Sequence, residues 1–386
     1  MGEARAGRAF APPLPAVPAV AATSSPHRTG AAAARRPAAG ALVWALWVVA
    51  TAALAVFTLS AYWGWRLSHP PRVVPRGDPA VDGRLVWRCL PLVPDSPPCP
   101  LSQLPLQSSN LPLSGWILPV RAPAVSATPS RHSGGGSGSG SGPGGQAQPW
   151  PGTSPSQWSH DTVVFVTNAG QNRLQAGFPT YAVAREFLAS GYNVVLFDTR
   201  GTGLSGGDAI GFGETEAADV VAVVNYLRGL GSPGGTVVVW GFGTGGDAAI
   251  EAAARDPMIA AVIADSPYTD LSSYLRRNVP TWTGLPAFPF AVTIPWVMRG
   301  EVGLTGRPTP LSVVGALGGG SPRPFLLVNG EADTVTPPQG AAALLLAAHD
   351  PYGQLWLVPG VGHLGAYAAQ PARYMAAVWQ TLSAAG

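Results

Sequence analysis

The strongest constraint on the fold of this chain is a repeated alternation of short apolar runs with helical segments after residue 159. Apolar runs of strand length predict buried strands, and they occupy 162–166, 193–197, 236–240, 259–264, 324–328 and 354–358. Segments with helical spacing occupy 181–190, 214–227, 244–255 and 373–384. This order predicts an α/β fold with a mostly parallel sheet and helices on both faces. Ligands of such sheets bind at the carboxyl ends of the strands.

A second constraint is a stretch of 29 residues without a charge between Arg36 and Arg66. A helix needs about 20 apolar residues to cross a hydrocarbon core of ~30 Å. Aromatic residues that suit the two membrane interfaces lie near its ends: Trp44, Trp47, Tyr62, Trp63 and Trp65. We therefore expect a transmembrane helix at 41–66 that anchors the chain in a lipid bilayer as a single-pass protein. A buried core helix would need a domain around it, and a cleaved signal usually has a shorter apolar region.

The rest of the chain divides by composition. Residues 1–40 are mostly Ala, Pro, Arg and Gly, which predicts a disordered tail. Residues 67–120 predict an extended segment with early strands, including an edge strand at 111–119. Residues 121–158 are rich in Gly and Ser and predict a flexible loop insertion. Residues 159–386 form the predicted core.

Charge, histidine spacing and cysteine content limit the classes of partner and the cellular location that we expect. The net charge is +3 and no arginine cluster is interleaved with aromatics, so we expect no nucleic-acid partner. The six histidines show no ligand spacing, so we expect no metal and no cofactor. Arginine counts on the two sides of the apolar stretch do not decide its orientation. Cys89 and Cys99 both follow that stretch, and a disulfide between them would suit a domain outside the cytosol; two free thiols are the alternative.

The candidate catalytic residues follow three of the predicted strands. The run at 236–240 leads into Gly241-Phe-Gly243-Thr-Gly-Gly directly before a helix, with the spacing of the G-x-S-x-G nucleophile elbow. The central residue of that turn takes a positive φ, which glycine adopts at little cost. Asp333 follows a later strand and His363 follows the last one. An acid and a histidine in this order predict an acid–base pair.

With these motifs the chain resembles the α/β-hydrolase superfamily, and most nearly its abhydrolase-domain and prolyl-oligopeptidase-like serine hydrolases. The resemblance covers 159–386 and the strand at 111–119, and it includes Asn-Ala-Gly at 168–170 and Asp-Thr-Arg-Gly-Thr-Gly-Leu-Ser at 198–205. It implies that Asp333 and His363 are the triad acid and base. It also implies that the backbone N–H groups of Thr244 and Asn168 form the oxyanion hole.

The chain departs from that family at the nucleophile, because Gly243 stands where the family has serine. Without the hydroxyl the acyl-enzyme route is lost. We therefore expect hydrolysis to be weak or absent, with ligand binding or scaffolding retained. Three alternatives stay open: an active ester or amide hydrolase with a displaced nucleophile (Thr244, Ser205 or Ser266), the same activity with water activated by His363, and a pure interaction protein at the membrane.

A cap is predicted at about 275–322, between two core strands, because this segment is rich in proline and aromatic residues. Trp282, Phe288 and Phe290 are the expected ligand-binding residues there, with Trp296 and Met298 beside them. A capped apolar crevice suggests a small acyl or aromatic ligand. The alternative is that these side chains only hold the cap in place.

Overall fold

The computed structural model describes residues 39–74, 106–108, 111–118, 161–229, 235–318 and 323–384. Three predictions fall outside the described residues: the disordered tail before residue 39, the loop insertion at 121–158, and the pairing of Cys89 with Cys99. They stay predictions.

The chain contains nine strands and eleven helices among its described residues. The strands are β1 Leu106–Ser108, β2 Leu111–Leu113, β3 Gly115–Leu118, β4 Thr162–Val166, β5 Asn193–Phe197, β6 Val237–Phe242, β7 Ile259–Asp265, β8 Phe325–Gly330 and β9 Gly353–Val358. The helices are α1 Ala39–Ser68, α2 Thr180–Ala189, α3 Glu216–Gly229, α4 Thr244–Arg255, α5 Leu271–Thr283, α6 Ala287–Val302, α7 Pro310–Val313, α8 Gly315–Gly318, α9 Pro338–Ala348, α10 Ala366–Ala369 and α11 Pro371–Ser383.

Seven strands form one sheet in the order β3-β5-β4-β6-β7-β8-β9. All neighbours are parallel except β3, which runs antiparallel to β5 at the edge. One face of the sheet packs against α3, α4 and α9, and the other packs against α2 and α11. Burial on both faces explains why the strands are continuous apolar runs. The predicted fold class is confirmed, and β4–β9 match the six predicted strands to within two residues at each end.

Helix α1 is the one described helix that is long and apolar enough to cross a membrane. Residues Gly40–Ser68 have a mean hydropathy of 2.3 in the most apolar window, and none of that window is buried. An exposed helix of this length and composition fits a single-pass membrane anchor. The prediction at 41–66 lies within it.

The residues that follow α1 are fixed to the domain by hydrogen bonds. The N–H of Ile210 donates to the carbonyl of Ser68 at 2.8 Å. The Arg72 guanidinium donates to the carbonyl of Ser205 at 2.6 Å. The anchor is therefore joined to the α/β domain by an ordered connection over 69–74.

Helices α5 to α8 lie between β7 and β8. Helices α5 and α6 pack on each other and form the cap, whereas α7 and α8 pack against α4 and α9. Along α5 and α6, buried apolar side chains recur at helical spacing: Leu271, Leu275, Val279, Phe290, Ile294 and Met298. They pack into one cluster with Ile210, Phe212 and Tyr268. The partly buried Ala169 and Val335 pack against this cluster, and both are close in sequence to predicted site residues.

Candidate active site

The turn between β6 and α4 has the geometry of a nucleophile elbow. Gly243 has φ 52° and ψ −123° and is the N-cap of α4. Its N–H donates to the carbonyl of Asp265 at 2.8 Å, which ties the turn to the end of β7. Gly241 has no room for a side chain, because an added Cβ would overlap the backbone of Gly245. The sharp reversal therefore depends on glycine, as the sequence motif predicts.

The side chain of Asn168 lies where a nucleophile side chain would project. A Cβ added to Gly243 would overlap Asn168 Oδ1 and lie 2.7 Å from its Cγ. Asn168 Oδ1 accepts hydrogen bonds from the N–H of Thr244 at 3.1 Å and the N–H of Ala169 at 2.9 Å. Two converging backbone N–H groups are the usual construction of an oxyanion hole. The carboxamide oxygen of Asn168 thus lies at the point on which these two N–H groups converge.

The second backbone N–H group that faces the elbow differs from the one that the resemblance implies. The backbone N–H of Asn168 donates to Gln175 Oε1 at 2.9 Å, so it points away from the elbow. Ala169 supplies the converging N–H instead, and it also lies 2.8 Å from Thr244 Oγ1. Sequence motifs locate this loop after β4 but do not show which of two successive N–H groups faces the turn.

Asp333 and His363 meet at the carboxyl ends of β8 and β9. His363 Nδ1 lies 2.8 Å from Asp333 Oδ2, and Thr336 Oγ1 lies within 3.1 Å of both groups. Asp333 Oδ1 accepts from the N–H groups of Val335 and Thr336. Burial acts to raise the pKa of Asp333, but the hydrogen bond and charge of His363 and the bonds from Thr336 outweigh it, so the pKa lies below its usual value. Asp333 is therefore a carboxylate that orients the imidazole.

A buried carboxyl group behind the histidine was not predicted as part of the site. Asp265 accepts from the hydroxyls of Ser266 and Tyr374, each at 2.9 Å. Ser266 Oγ also accepts from the N–H of Leu364 at 3.2 Å, which connects the histidine loop to the end of β7. Burial raises the pKa of Asp265 to about 6, against the opposing effect of these hydrogen bonds and of His363. No sequence signal marks this group, because Tyr374 lies 109 positions away.

We expect Asp265 to make the stability of the protein depend on pH. Its folded pKa, about 6, exceeds the usual ~3.9, so the folded state holds the proton more tightly. The resulting stabilisation is complete below pH ~4 and is lost as the pH rises through 6. From pH 7 to pH 5 the free energy of unfolding should rise by about 1 kcal/mol from this group. Asp265→Asn should remove that increment, as measured by urea titration at both pH values. An unchanged pH dependence in the variant would contradict the assignment.

The three hydroxyl groups considered as displaced nucleophiles are all bonded elsewhere. Ser205 Oγ donates to the carbonyl of Asp198 at 2.6 Å and accepts from the N–H of Ser114. Ser266 donates to Asp265, and Thr244 Oγ1 donates to Asn168 Oδ1 at 3.2 Å.

His363 Nε2 is the atom that would activate a nucleophile, and it has no hydrogen-bond partner among the described residues. In the same part of the chain, no group of three or more His, Cys, Asp or Glu could hold a metal ion.

The three aromatic residues of the cap that we expected to bind a ligand differ in their exposure to solvent. Phe290 is buried, and Trp282 stacks on Phe212 with 6.2 Å between ring centroids, so both belong to the apolar cluster of the cap. Phe288 is instead 84% exposed, at an extended backbone position (φ −98°, ψ 133°) at the start of α6. Phe288 is therefore not part of that cluster.

Comparison with known proteins supports the fold. The model of the X-Pro dipeptidyl-peptidase (S15) family matches residues 146–290. The quorum-quenching protein AidA of Acinetobacter baumannii is 36% identical over 101 residues, which is 25% of this chain and 33% of that protein. The match thus spans a third of the length of that relative. The esterase Pf2001 of Pyrococcus furiosus is 20% identical, with a TM-score of 0.53 over 81% of this chain and 98% of the esterase.

The fold, the elbow and the acid–histidine pair define an α/β-hydrolase architecture. Together with these matches they support membership of the α/β-hydrolase superfamily.

Proposed function

We propose that this protein is a membrane-anchored α/β-hydrolase-fold protein that binds an acyl ligand and hydrolyses esters and amides weakly or not at all. The observation that carries the proposal is the pairing of Gly243 with Asn168. Gly243 brings no hydroxyl to the elbow, and Asn168 Oδ1 accepts the bonds of both oxyanion-hole donors. The elbow thus lacks a nucleophile, and the two converging N–H groups are already bonded within the chain.

The size of the expected loss follows from the chemistry of triads. Removing one triad member of a serine hydrolase leaves roughly 10³–10⁴-fold catalysis over water, which comes from binding and the oxyanion hole. Here the hole is also occupied, and loss of a single hole donor costs about 10²–10³-fold. Turnover should therefore be far below that of a serine esterase.

The ligand that this site favours carries a carbonyl or carboxylate oxygen on an apolar chain or ring. Such an oxygen can replace Asn168 Oδ1 on the N–H groups of Thr244 and Ala169. The apolar part fits beside the cap cluster, against which Ala169 and Val335 pack. The loop that carries His363 is bonded to the end of β7 through Leu364 and Ser266, and the N–H of Gly243 is bonded to Asp265 at the same strand end.

Two assays on the full chain in detergent test this proposal. Hydrolysis of p-nitrophenyl esters should be negligible, and a fluorophosphonate probe should not label the protein, because position 243 carries no serine hydroxyl. Stoichiometric labelling of any serine would contradict the proposal. Binding is tested by thermal shift with decanoate, with decylamine as the control of equal chain length. Stabilisation by decanoate alone supports the ligand class, and no shift with either compound leaves scaffolding as the function.

A second candidate function is slow hydrolysis by water that His363 activates. The intact bonds among Asp333, Thr336 and His363 favour it, together with the unpartnered Nε2 in the described part of the chain. General-base catalysis contributes roughly 10²–10⁴-fold.

On this reading, His363→Ala should lower any measured ester turnover by about 10²-fold or more. His349→Ala should leave it unchanged, because His349 is exposed and bonds only a nearby carbonyl. Equal turnover in the two variants would eliminate this candidate.

We also propose that the N-terminal tail faces the cytoplasm and the domain faces outward. The support is the position of Cys89 and Cys99, both on the domain side of α1, since disulfides persist in oxidising compartments. In protein extracted without reductant, both thiols should resist a maleimide-linked polymer and react after reduction. Immediate alkylation of both thiols would contradict this orientation.

A further inference from the structure

The second half of α1 packs closely along α6 of the cap. Ser60 Oγ lies 2.7 Å from Thr293 Oγ1. Gly64 is buried, and a Cβ added to it would lie 2.8 Å from Val297 Cγ1. Small residues allow helices to approach this closely. In both contacts the partners are 233 positions apart, so the two helices run parallel here.

The same offset places the charged residues that follow the apolar stretches of α1 and α6 at the same height along the two helices. Arg66 is the first charged residue after the apolar stretch of α1, and Arg299 is 233 positions beyond it on α6. On the other arm of the cap, the nearest charges are Arg276 and Arg277 of α5, which are both exposed. Between Arg277 and Arg299 there are 21 residues without a charge. The hairpin of α5 and α6 thus has an uncharged tip, residues 281–298, and charged residues on both helices at the end away from the tip.

The tip exposes large apolar side chains that the cap does not need for its own packing. Val292 and Trp296 are 58% and 66% exposed, and their four-residue spacing puts them on one side of α6. Phe288, at the extended position before the regular part of the helix, is 84% exposed. The opposite side of α6 carries Phe290 and Ile294, which fill the cap cluster. An exposed apolar stripe beside an apolar anchor indicates contact with lipid.

The backbone at the tip is compatible with an apolar surrounding. The N–H of Gly284 donates to the carbonyl of Pro280 at 2.9 Å, and the N–H of Leu285 donates to Thr283 Oγ1 at 3.2 Å. Pro286 and Pro289 have no N–H to satisfy. These bonds and the two prolines reduce the number of unpaired donors in the turn, while the N-terminus of α6 has no side-chain cap and is the polar part of the tip.

We propose that the tip of the α5–α6 hairpin, residues 281–298, is embedded in the bilayer leaflet that surrounds the second half of α1. At 1.5 Å per residue, Gly284 lies about 10 Å beyond Arg277 along α5. That depth matches the ~5–10 Å by which interfacial helices enter the boundary of headgroups and acyl chains. The inference goes beyond the proposed function, since it requires neither Gly243 nor His363. It gives α6 two apolar sides, one in contact with lipid and the other packed in the cap cluster.

Collision accessibility of spin labels tests the proposal on the full chain in phosphatidylcholine vesicles. In a Cys89→Ser/Cys99→Ser background, nitroxides are attached to Val292→Cys and, separately, to Trp296→Cys. The matched control is Leu346→Cys on α9, which is 77% exposed. Oxygen concentrates in hydrocarbon, and a polar nickel chelate is excluded from it. The ratio of oxygen to nickel accessibility at 292 and 296 should exceed that at 346 by roughly tenfold.

Each other outcome overturns the proposal. High nickel accessibility at 292 and 296 would show that the tip is in water. Low accessibility to both reagents would show that protein, such as a second copy of the chain, covers the stripe. Because both substituted side chains are exposed, the labels should leave folding intact, and an unchanged circular dichroism spectrum verifies this.

Discussion

Gly243→Ser alone should leave the protein almost without esterase activity, whereas Gly243→Ser combined with Asn168→Ala should hydrolyse activated esters. A serine Cβ at 243 would overlap Asn168 Oδ1, so the single variant either displaces the carboxamide or distorts the elbow. In the double variant the N–H groups of Thr244 and Ala169 no longer donate to Asn168 Oδ1, so they can bind the oxyanion that forms when the ester is attacked. Each hole donor is worth about 10²–10³-fold in turnover, so the double variant should exceed the single variant by about 10²-fold or more in kcat/KM.

The measurement is hydrolysis of p-nitrophenyl butyrate, with fluorophosphonate labelling to report whether the new serine is activated. Asn168→Ala alone is the matched control, because it empties the hole without supplying a nucleophile, and it should stay inactive. Equal activity of the single and double variants would show that Asn168 moves aside freely. An inactive and unlabelled double variant would show that His363 is not placed to activate residue 243.

The features of the fold and of the site that could be predicted from the sequence depend on residues that are close together along the chain. The elbow depends on Gly241, Gly243 and the helix start at Thr244, which follow one another along the chain. The strands follow from apolar runs, because burial on both sheet faces demands them. Asp333 and His363 were found because each follows a strand, and parallel strands bring their carboxyl ends to one edge of the sheet.

The features that sequence missed depend on distant partners. Asn168 fills the space at Gly243 because the loop after β4 reaches the start of α4, and its partner Thr244 lies 76 positions away. The apolar composition of the cap predicted a cap but not which side of α6 each aromatic occupies. Phe288 and Phe290 are two residues apart, yet one is exposed and the other is buried. Phe288 lies at the extended position before the regular part of α6, whereas Phe290 packs into the cap cluster.

A buried ion pair holds the loop that contains Asn168. Arg173 and Asp198 have side chains 2% and 0% exposed, and they are joined by bonds of 2.5 Å and 3.2 Å. Asp198 also accepts from the N–H groups of Arg173 and Leu204. The Arg173 guanidinium lies 4.6 Å from the centre of the Trp116 ring and donates to Ser114 Oγ. This network joins the site loop to β5 and to the edge strand β3.

Arg173→Met should therefore destabilise the protein by ~3–5 kcal/mol, because it leaves the Asp198 charge buried without a partner. Arg173→Met combined with Asp198→Asn should recover part of that loss, since the uncompensated charge is removed. The matched control is Asp208→Asn, which breaks the exposed pair of Asp208 with Arg72 and should cost less than about 1 kcal/mol. Unfolding of the full chain in detergent, followed by circular dichroism, measures all three. A loss for Arg173→Met no larger than that of the control would mean that the pair does not hold the loop, and the position of Asn168 would need another cause.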